Sequence, residues 1–132
     1  MPLTVRLVAT DREVFKGEAN LVVVQTLEGQ VGIMPQHSPM MAQLADAEVL
    51  IKTDAGDLHA AVHSGFATVD RDNVIILAET AELADEIVVE AAERIKAEIG
   101  TPADDDHASQ AKLKRAETRL AVAAKRQTGG KI

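Results

Sequence analysis

The apolar residues of this 132-residue chain change their spacing near residue 84, and this change constrains the fold more than any other feature. Before it, apolar and polar residues alternate, as in Leu3, Val5 and Leu7 with Thr4 and Arg6 between them. A period of two is typical of β-strands. Short turn sequences such as "KGEAN", "EGQ", "TDAGD" and "DRDN" separate the runs. Many short strands without intervening helices predict an antiparallel sandwich or barrel.

Two strands show how deeply such a sheet is buried. "LVVVQT" at 21–26 is apolar at consecutive positions, which predicts a strand that is covered on both faces. Further along, Val74, Ile76 and Ala78 fall on one face of a strand and Leu77 falls on the other. These patterns predict an inner layer of apolar side chains between the strands.

Beyond residue 84 the apolar period becomes 3.6, which is the period of an α-helix. The stripe of the first predicted helix comprises Val88, Ala91, Ala92, Ile95 and Ile99. A second helix is predicted from about Ala108 to Gln127, and its heptad-like stripe comprises Leu113, Ala116, Leu120 and Ala123. Between them "GTPADDDH" offers Gly100 as a C-cap, followed by a linker that we expect to be solvated.

These spacings predict an α+β chain with two units. An N-terminal antiparallel β-sandwich is expected over residues 1–83, and a C-terminal antiparallel two-helix hairpin over 84–132. The charges divide in a similar way. Residues 108–132 carry seven basic groups and one acid, a net charge of +6, and the first 107 residues therefore carry −13 of the total of −7. Such a split indicates that the hairpin meets a partner of opposite sign.

Composition excludes several classes of function. The chain has no cysteine, so it can form neither a disulfide nor a thiolate metal site. Its only aromatic residues are two phenylalanines, and together with a net charge of −7 this argues against nucleic-acid binding. No apolar run approaches the roughly 20 residues that span a bilayer, and "MPLTVRLVAT" does not resemble a signal peptide. We therefore expect an acidic, soluble, intracellular protein.

The segment "EGQVGIMPQHSPM" at 28–40 concentrates residues that shape the backbone around one histidine. Gly29 and Gly32 permit close approach or a positive φ, and Pro35 and Pro39 fix extended geometry on either side of His37. One interpretation is a pair of linked turns between strands. A second is a catalytic loop, and a third is a pre-shaped contact surface, which loses little conformational entropy on docking.

The catalytic interpretation has little support in the sequence. His37 has only an adjacent serine, and adjacency in sequence is not evidence of a nucleophile–base pair. His59 and His63 lie on one face of a strand but about 13 Å apart, too far to share a metal ion. The acidic run 104–106 lacks the spacing of an EF-hand. A generic β-sandwich adaptor with the hairpin as a dimerisation arm remains an alternative.

Four motifs in order, followed by a helical hairpin, resemble the epsilon subunit of bacterial F-type ATP synthase over essentially the full length. They are "VFKGEA" (14–19), "TLEGQVGIMPQHSP" (26–39), "SGF" (64–66) and "ILAETAELADEI" (76–87). The resemblance implies a non-catalytic rotor subunit of the central stalk that needs no cofactor. Such a subunit helps to couple proton flow to ATP synthesis, and it lies at the cytoplasmic side of the cell membrane as a peripheral protein.

The resemblance also assigns contact residues in the segment 26–41. Those expected to meet the ring of membrane-embedded c subunits are Glu28, Gly29 and Gln30. Those expected near the gamma subunit are His37, Pro39, Met40 and Met41. Many family members have an acid at the position of Gln30, so we expect the ring contact here to be weaker or to depend on Glu28.

The hairpin carries two further expectations from the resemblance. Basic residues of the second helix would face the alpha and beta subunits and oppose ATP hydrolysis; they are Lys114, Arg115, Arg119, Lys125 and Arg126. Some members bind ATP through Ile or Leu, Asp, two free positions, Arg and Ala. The matching residues here are Ile87, Val88, Ala91 and Ala92, so the acid and the arginine are both missing. We therefore expect no ATP site.

Overall fold

The computed structural model describes residues 2–125, in which eight strands precede two helices. The strands are β1 (Leu3–Ala9), β2 (Glu13–Ala19), β3 (Leu21–Thr26), β4 (Gly29–Ile33), β5 (Met40–Leu44), β6 (Ala47–Thr53), β7 (Gly56–Asp70) and β8 (Asn73–Leu83). A short 3₁₀ turn (Ala84–Glu86) leads to α1 (Val89–Ile99) and α2 (His107–Ala123). The predicted fold class, a β-sandwich followed by two helices, is confirmed.

The strands follow the order β2, β1, β8, β7, β5, β3, β4, and β6 pairs with both β3 and β7. Neighbouring strands in residues 2–125 run antiparallel except β1 and β8, which are parallel. Parallel strands need a long crossover connection, and here the six strands between β1 and β8 supply it.

The core lies between the strand layers, where the alternating pattern predicted it. Leu3, Val5 and Leu7 are fully buried, as are Val74 and Ile76 on the neighbouring β8. Burial of such aliphatic side chains contributes about 1.5–3 kcal/mol each.

One strand is less enclosed than its sequence predicted. Val22 and Val24 of β3 are fully buried, but Leu21 and Val23 are only half-buried. The second face of β3 is therefore covered in part, and the prediction of burial on both faces is wrong.

The "SGF" motif at 64–66 lies where β7 changes partners. The part of β7 before the motif pairs with β6, and the part from Gly65 onward pairs with β5. Ser64 adopts a left-handed conformation with φ of 54°. A Cβ on Gly65 would lie 2.6 Å from the carbonyl oxygen of Leu77, so only glycine fits against β8 here.

The hairpin begins and ends largely as predicted. Gly100 is the C-cap of α1, with φ of 63° and its N–H donating to the Lys96 carbonyl at 3.0 Å. Asp106, which we expected to be merely a solvated linker residue, is the N-cap of α2 and accepts from the Ser109 N–H at 3.1 Å.

The predicted helices differ from the structure at two places. Val88 precedes α1 and is 54% exposed, so it does not belong to the buried stripe. The last residue of α2 is Ala123, before the predicted end at Gln127, which lies outside the described residues. None of the helices in the described part of the chain is long and apolar enough to cross a membrane.

Candidate interaction surfaces

The tip of the β3–β4 hairpin is an exposed and ordered turn. The Thr26 hydroxyl donates to the Gly29 carbonyl at 2.8 Å and accepts from the Glu28 N–H at 3.1 Å. Gly29 has φ of 137°, a conformation that side chains rarely adopt. Glu28, Gly29 and Gln30 are all exposed. The predicted ring-contact residues thus lie together at the end of one hairpin, beside the exposed Leu27.

The segment after β4 is fixed by contacts with a different hairpin. Its turn is closed by the His37 N–H, which donates to the Met34 carbonyl at 3.1 Å. Gln36 has a positive φ of 70°, and its N–H donates to a carboxylate oxygen of Asp72 at 2.6 Å. Asp72 belongs to the β7–β8 turn and itself has φ of 65°. The loop that presents His37 is therefore held against a rigid turn and is shaped before any partner binds.

The outer face of the sheet next to this loop exposes large apolar side chains. Met41, Phe66 and Leu77 are 75%, 49% and 50% exposed. Phe66 is paired in register with Leu77, and Met41 lies on the adjacent strand β5. Isolated exposed apolar residues are ordinary, but neighbouring ones on paired strands make this face a candidate contact surface. We call Met41, Phe66 and Leu77 the apolar face.

The four residues predicted to meet gamma are placed differently. His37 is half-buried in the loop, Pro39 is exposed, and Met41 belongs to the apolar face. Met40 points the other way and packs against the core of the sandwich, so its side chain does not contribute. Alternation along β5 separates the two methionines onto opposite faces.

A second surface lies where α2 rests on the sandwich, and it is polar. Arg115 contacts the Asp46 carboxylate at 3.3 Å, the Ser64 hydroxyl at 2.9 Å and the Glu79 carboxylate at 3.7 Å. Arg119 binds Glu82 through two nitrogens, at 2.7 and 3.3 Å. Two-point contacts of this kind fix orientation as well as charge. We call the set of contacts between α2 and the strands the seam.

The end of α2 is held by a third acidic side chain. Lys125 donates to Glu48 at 2.5 Å, and the other carboxylate oxygen of Glu48 contacts His59. Burial opposes ionisation of Glu48, but the hydrogen bonds from Lys125 and His59 outweigh it and hold its pKa below the ordinary value. Three of the predicted inhibitory residues therefore face the sandwich in this conformation. Lys114 is exposed, and Arg126 lies outside the described residues.

The connection into the hairpin has its own ion pair. Arg12, in the β1–β2 turn, donates to both carboxylate oxygens of Glu86 at 2.8 and 2.9 Å. These hydrogen bonds hold the pKa of Glu86 below its usual range. Glu86 also accepts from the Leu83 N–H at 2.9 Å, which fixes the 3₁₀ turn that follows β8.

The apolar part of the seam is small and rich in alanine. Its buried members are Ala61, Ala84, Ile87, Val122 and Ala123. The degenerate ATP motif lies at its edge: Ile87 and Ala92 are buried, Ala91 is half-buried and Val88 is exposed. Val88 occupies the N-cap position of α1 and makes no side-chain capping hydrogen bond. Ile87 therefore packs in the apolar part of the seam, and Val88 is the residue just before α1 begins.

An open cleft of about 700 Å³ separates part of the hairpin from the sandwich. His63 lies at its floor and is 3% exposed, whereas His59 contacts Glu48. The two histidines occupy different environments, and no group of three potential metal ligands occurs in residues 2–125.

Several residues of these surfaces were not found by sequence reasoning. Phe66 and Leu77 carry a weak signal, since both fall in recognised motifs and on the outer face of their strands. Asp46, Glu48 and Glu82 carry none, because their basic partners lie 69, 77 and 37 positions away in the chain. Only the fold brings these charges together.

Comparison with known proteins agrees with this architecture. Residues 2–84 match the family model of the ATP synthase delta/epsilon chain β-sandwich domain. The ATP synthase epsilon chain of Streptomyces coelicolor is 47% identical over 125 residues, which cover 94% of this chain and 97% of the relative. That of Rhodococcus jostii is 48% identical over 100 residues, which cover 74% of this chain and 82% of the relative.

Solved structures share the fold at lower identity. A chain of the Euglena gracilis mitochondrial ATP synthase (OSCP/F1/c-ring) superposes with a TM-score of 0.74 at 21% identity, covering 91% of this chain and 80% of its own. A chain of the Tetrahymena thermophila mitochondrial ATP synthase (central stalk/c-ring) superposes with a TM-score of 0.58 at 14% identity, covering 95% and 96%. At these identities the likeness concerns the fold alone.

The chain is thus a β-sandwich with an exposed apolar face and a helical hairpin held to it by ion pairs. The chain belongs to the ATP synthase delta/epsilon family, and its curated relatives are epsilon chains. Epsilon chains are structural stalk subunits of ATP synthase, so the expectation that this protein is not itself an enzyme is confirmed.

Proposed function

We propose that this chain is a rotor subunit of the central stalk of a proton-translocating F-type ATP synthase, where it helps to couple proton flow to ATP synthesis. Family membership supports the assignment, and the observation that carries it is the pre-shaped loop at His37 beside the apolar face. A surface whose backbone is already fixed loses little entropy on docking, as a permanent stalk contact requires. The protein would then lie peripherally at the cytoplasmic side of the membrane.

Within this assignment the two ends of β4 serve different partners. Glu28, Gly29 and Gln30 at the hairpin tip contact the ring of c subunits. His37, Pro39 and the apolar face contact gamma, with Phe66 and Leu77 in place of Met40. Exposed apolar side chains that become buried on assembly supply most of the binding energy, and the polar loop sets the register.

The sandwich (1–83) is thus the docking unit, and the hairpin (84–132) is the regulatory unit. Lys114, Arg115, Arg119, Lys125 and Arg126 would oppose hydrolysis by facing acidic segments of the alpha and beta subunits. Three of these residues are paired with the sandwich in the docked hairpin, so their action requires the seam to open. The same charges therefore serve two alternative sets of acidic partners.

An adaptor with a dimerisation arm finds no support in this arrangement. The heptad-like stripe of α2 would have to be available to a second copy, yet Ala116 and Ala123 are buried within the chain. The proposed function is tested by reconstitution. Membrane vesicles whose enzyme lacks this subunit should recover ATP-driven proton pumping when the purified chain is added, and failure of the chain to bind such an enzyme would refute the proposal.

A further inference from the structure

His63 is a buried titratable side chain that the proposed docking surfaces do not use. It lies on β7 and is 3% exposed, and neither ring nitrogen has a hydrogen-bond partner in residues 2–125. Buried polar side chains are nearly always paired, because an unpaired one costs about 1–3 kcal/mol. Its position at the floor of the cleft between sandwich and hairpin suggests a reason for this exception.

Charged groups from both sides of the cleft line it or act on the ring of His63, and the four that act on the ring are Asp46, Glu82, Arg115 and Arg119. On the sandwich side the charged groups are Asp46, Glu82, Asp11 and Arg12; on the hairpin side they are Arg115, Arg119, Lys112 and Glu98. The two nearest carboxylates are already engaged, because Asp46 binds Arg115 and Glu82 binds Arg119. A protonated His63, itself only 3% exposed, would therefore share these carboxylates with two guanidinium groups.

The hairpin forms the wall of the cleft opposite His63. Ile95 and Ile99 of α1 and Ala116 of α2 line the cleft on that side. If the hairpin leaves, the ring is exposed to solvent and can be hydrated when charged. The docked and released states therefore differ in how well they tolerate the same proton.

We propose that His63 is a proton-sensitive element of the seam, so that acidification releases the helical hairpin from the sandwich. Neutral His63 is compatible with the docked hairpin, whereas the imidazolium form favours release. Burial is the main reason that the pKa of His63 lies below its ordinary value; Asp46 and Glu82 oppose the shift, and Arg115 and Arg119 reinforce it.

The direction of the pH effect follows from linkage. The released state binds the proton more readily than the docked state, so docking is strongest above the ordinary histidine pKa of about 6.5. It weakens as the pH falls below that value, until the docked form is protonated as well. The titration of Glu48 belongs to a lower pH range, because its pKa lies below the ordinary carboxylate value.

A single thiol can report the opening of the seam, since the chain has no cysteine. Val122 is 1% exposed in the seam, and the preceding residue, Ala121, is exposed on the same helix. The full chain carrying Val122→Cys would be labelled with a dipyridyl disulfide between pH 7.5 and 5.5. The same measurement on Ala121→Cys corrects for the pH dependence of thiol chemistry. The corrected labelling rate should rise at least about threefold as the pH falls from 7.5 to 5.5.

Two substitutions in the reporter background assign the effect. His63→Gln should remove the rise, and His59→Gln, at the histidine that contacts Glu48 in the same seam, should retain it. An unchanged rate in the unsubstituted background, or a rise that persists in His63→Gln, would overturn the proposal.

If His63→Gln does not fold, the histidine ring resonances of the unsubstituted chain, followed by NMR, provide the test. Titration of His63 must coincide with loss of amide protection in α2, and titration without that loss also overturns it. The isolated chain suffices, so the outcome is independent of the rotor assignment.

Discussion

The apolar face and the seam differ in what holds their residues in place. Met41, Phe66 and Leu77 stand on paired strands, whose ladders set their positions whether or not a partner is present. The seam depends on side chains that cross between two elements, with Arg119–Glu82 as its least exposed ion pair. Partly exposed ion pairs contribute about 0–1 kcal/mol each, because water replaces them at little cost. We therefore expect the first surface to keep its shape and the second to be the easier one to open.

Side-chain size reinforces this contrast. Three of the five buried residues in the apolar part of the seam are alanines, whereas leucine, isoleucine and valine outnumber alanine in the core of the sandwich. Each buried CH₂ is worth about 0.8 kcal/mol, so an alanine-rich contact holds two elements together weakly. The sandwich should remain folded when the hairpin departs.

The largest expected effect separates the core from the apolar face at adjacent positions of β8. Ile76 is fully buried and Leu77 is 50% exposed. Ile76→Ala should lower the free energy of unfolding by about 2–5 kcal/mol, because it leaves a cavity. Leu77→Ala should change it by less than about 0.5 kcal/mol. Urea unfolding followed by circular dichroism measures both, and equal losses would mean that Leu77 is a structural residue and not part of a docking surface.

The next effect concerns assembly and tests whether the pre-shaped surface docks. A Gln30→Lys, His37→Glu double variant introduces charge and bulk at the hairpin tip and the loop. Binding to an enzyme that lacks this subunit should weaken at least about tenfold, the equivalent of 1.4 kcal/mol. Pull-down with tagged gamma measures it.

A matched control for the assembly experiment is Lys16→Glu, an exposed residue of the edge strand β2. The urea midpoints of both variants should equal that of the parent chain. Normal assembly of the double variant would remove the reason for treating the 28–39 segment as an interface.

A smaller effect tests whether the seam is reversible. Deleting residues 108–132 should raise ATP hydrolysis by the assembled enzyme a few-fold while assembly is retained, and added salt should reproduce part of that gain. Glu82→Gln should act in the opposite direction. It removes the partner of Arg119 and frees the helix to inhibit, so hydrolysis should fall. Hydrolysis that is unchanged in both variants would argue against a regulatory hairpin.

The elements of this fold could be predicted because each rests on local spacing. The period of two, the change near residue 84, and Gly100 as a C-cap all appear in the structure. The seam could not be predicted, since the pairing of Arg115 with Asp46 depends on a sheet order that no short window encodes. Val88 fits the apolar spacing of α1 although it lies one position before the helix begins, so spacing alone could not separate it from the buried stripe.

The burial of His63 is the clearest example of what local pattern conceals. Its sequence neighbours gave only a position on a strand face, shared with His59. In the structure one histidine is buried beside the cleft between sandwich and hairpin, while the other pairs with Glu48. A strand pattern identifies a face, but the element that covers the face comes from tertiary packing.

The last prediction is that ATP does not bind to the hairpin, so no effect of ATP is expected. Ala91 offers no cation where the family's motif has arginine, and Arg94 on the next turn is exposed. Phosphates need a fixed, forked donor, which a distant arginine replaces poorly. Two other arginines of the hairpin, Arg115 and Arg119, are already held by sandwich carboxylates, so a nucleotide would have to break those ion pairs first.

The position of the hairpin should therefore depend on salt and protons and not on ATP bound to this subunit. Isothermal titration of the full chain with millimolar Mg-ATP should give only heats of dilution. Repeating it with Glu82→Gln tests whether occupied arginines are the obstacle, because Arg119 is then released. Binding that appears only in the variant would identify the ion pair as the block. A saturable, stoichiometric heat in the unsubstituted chain would show that the two motif substitutions do not abolish the site.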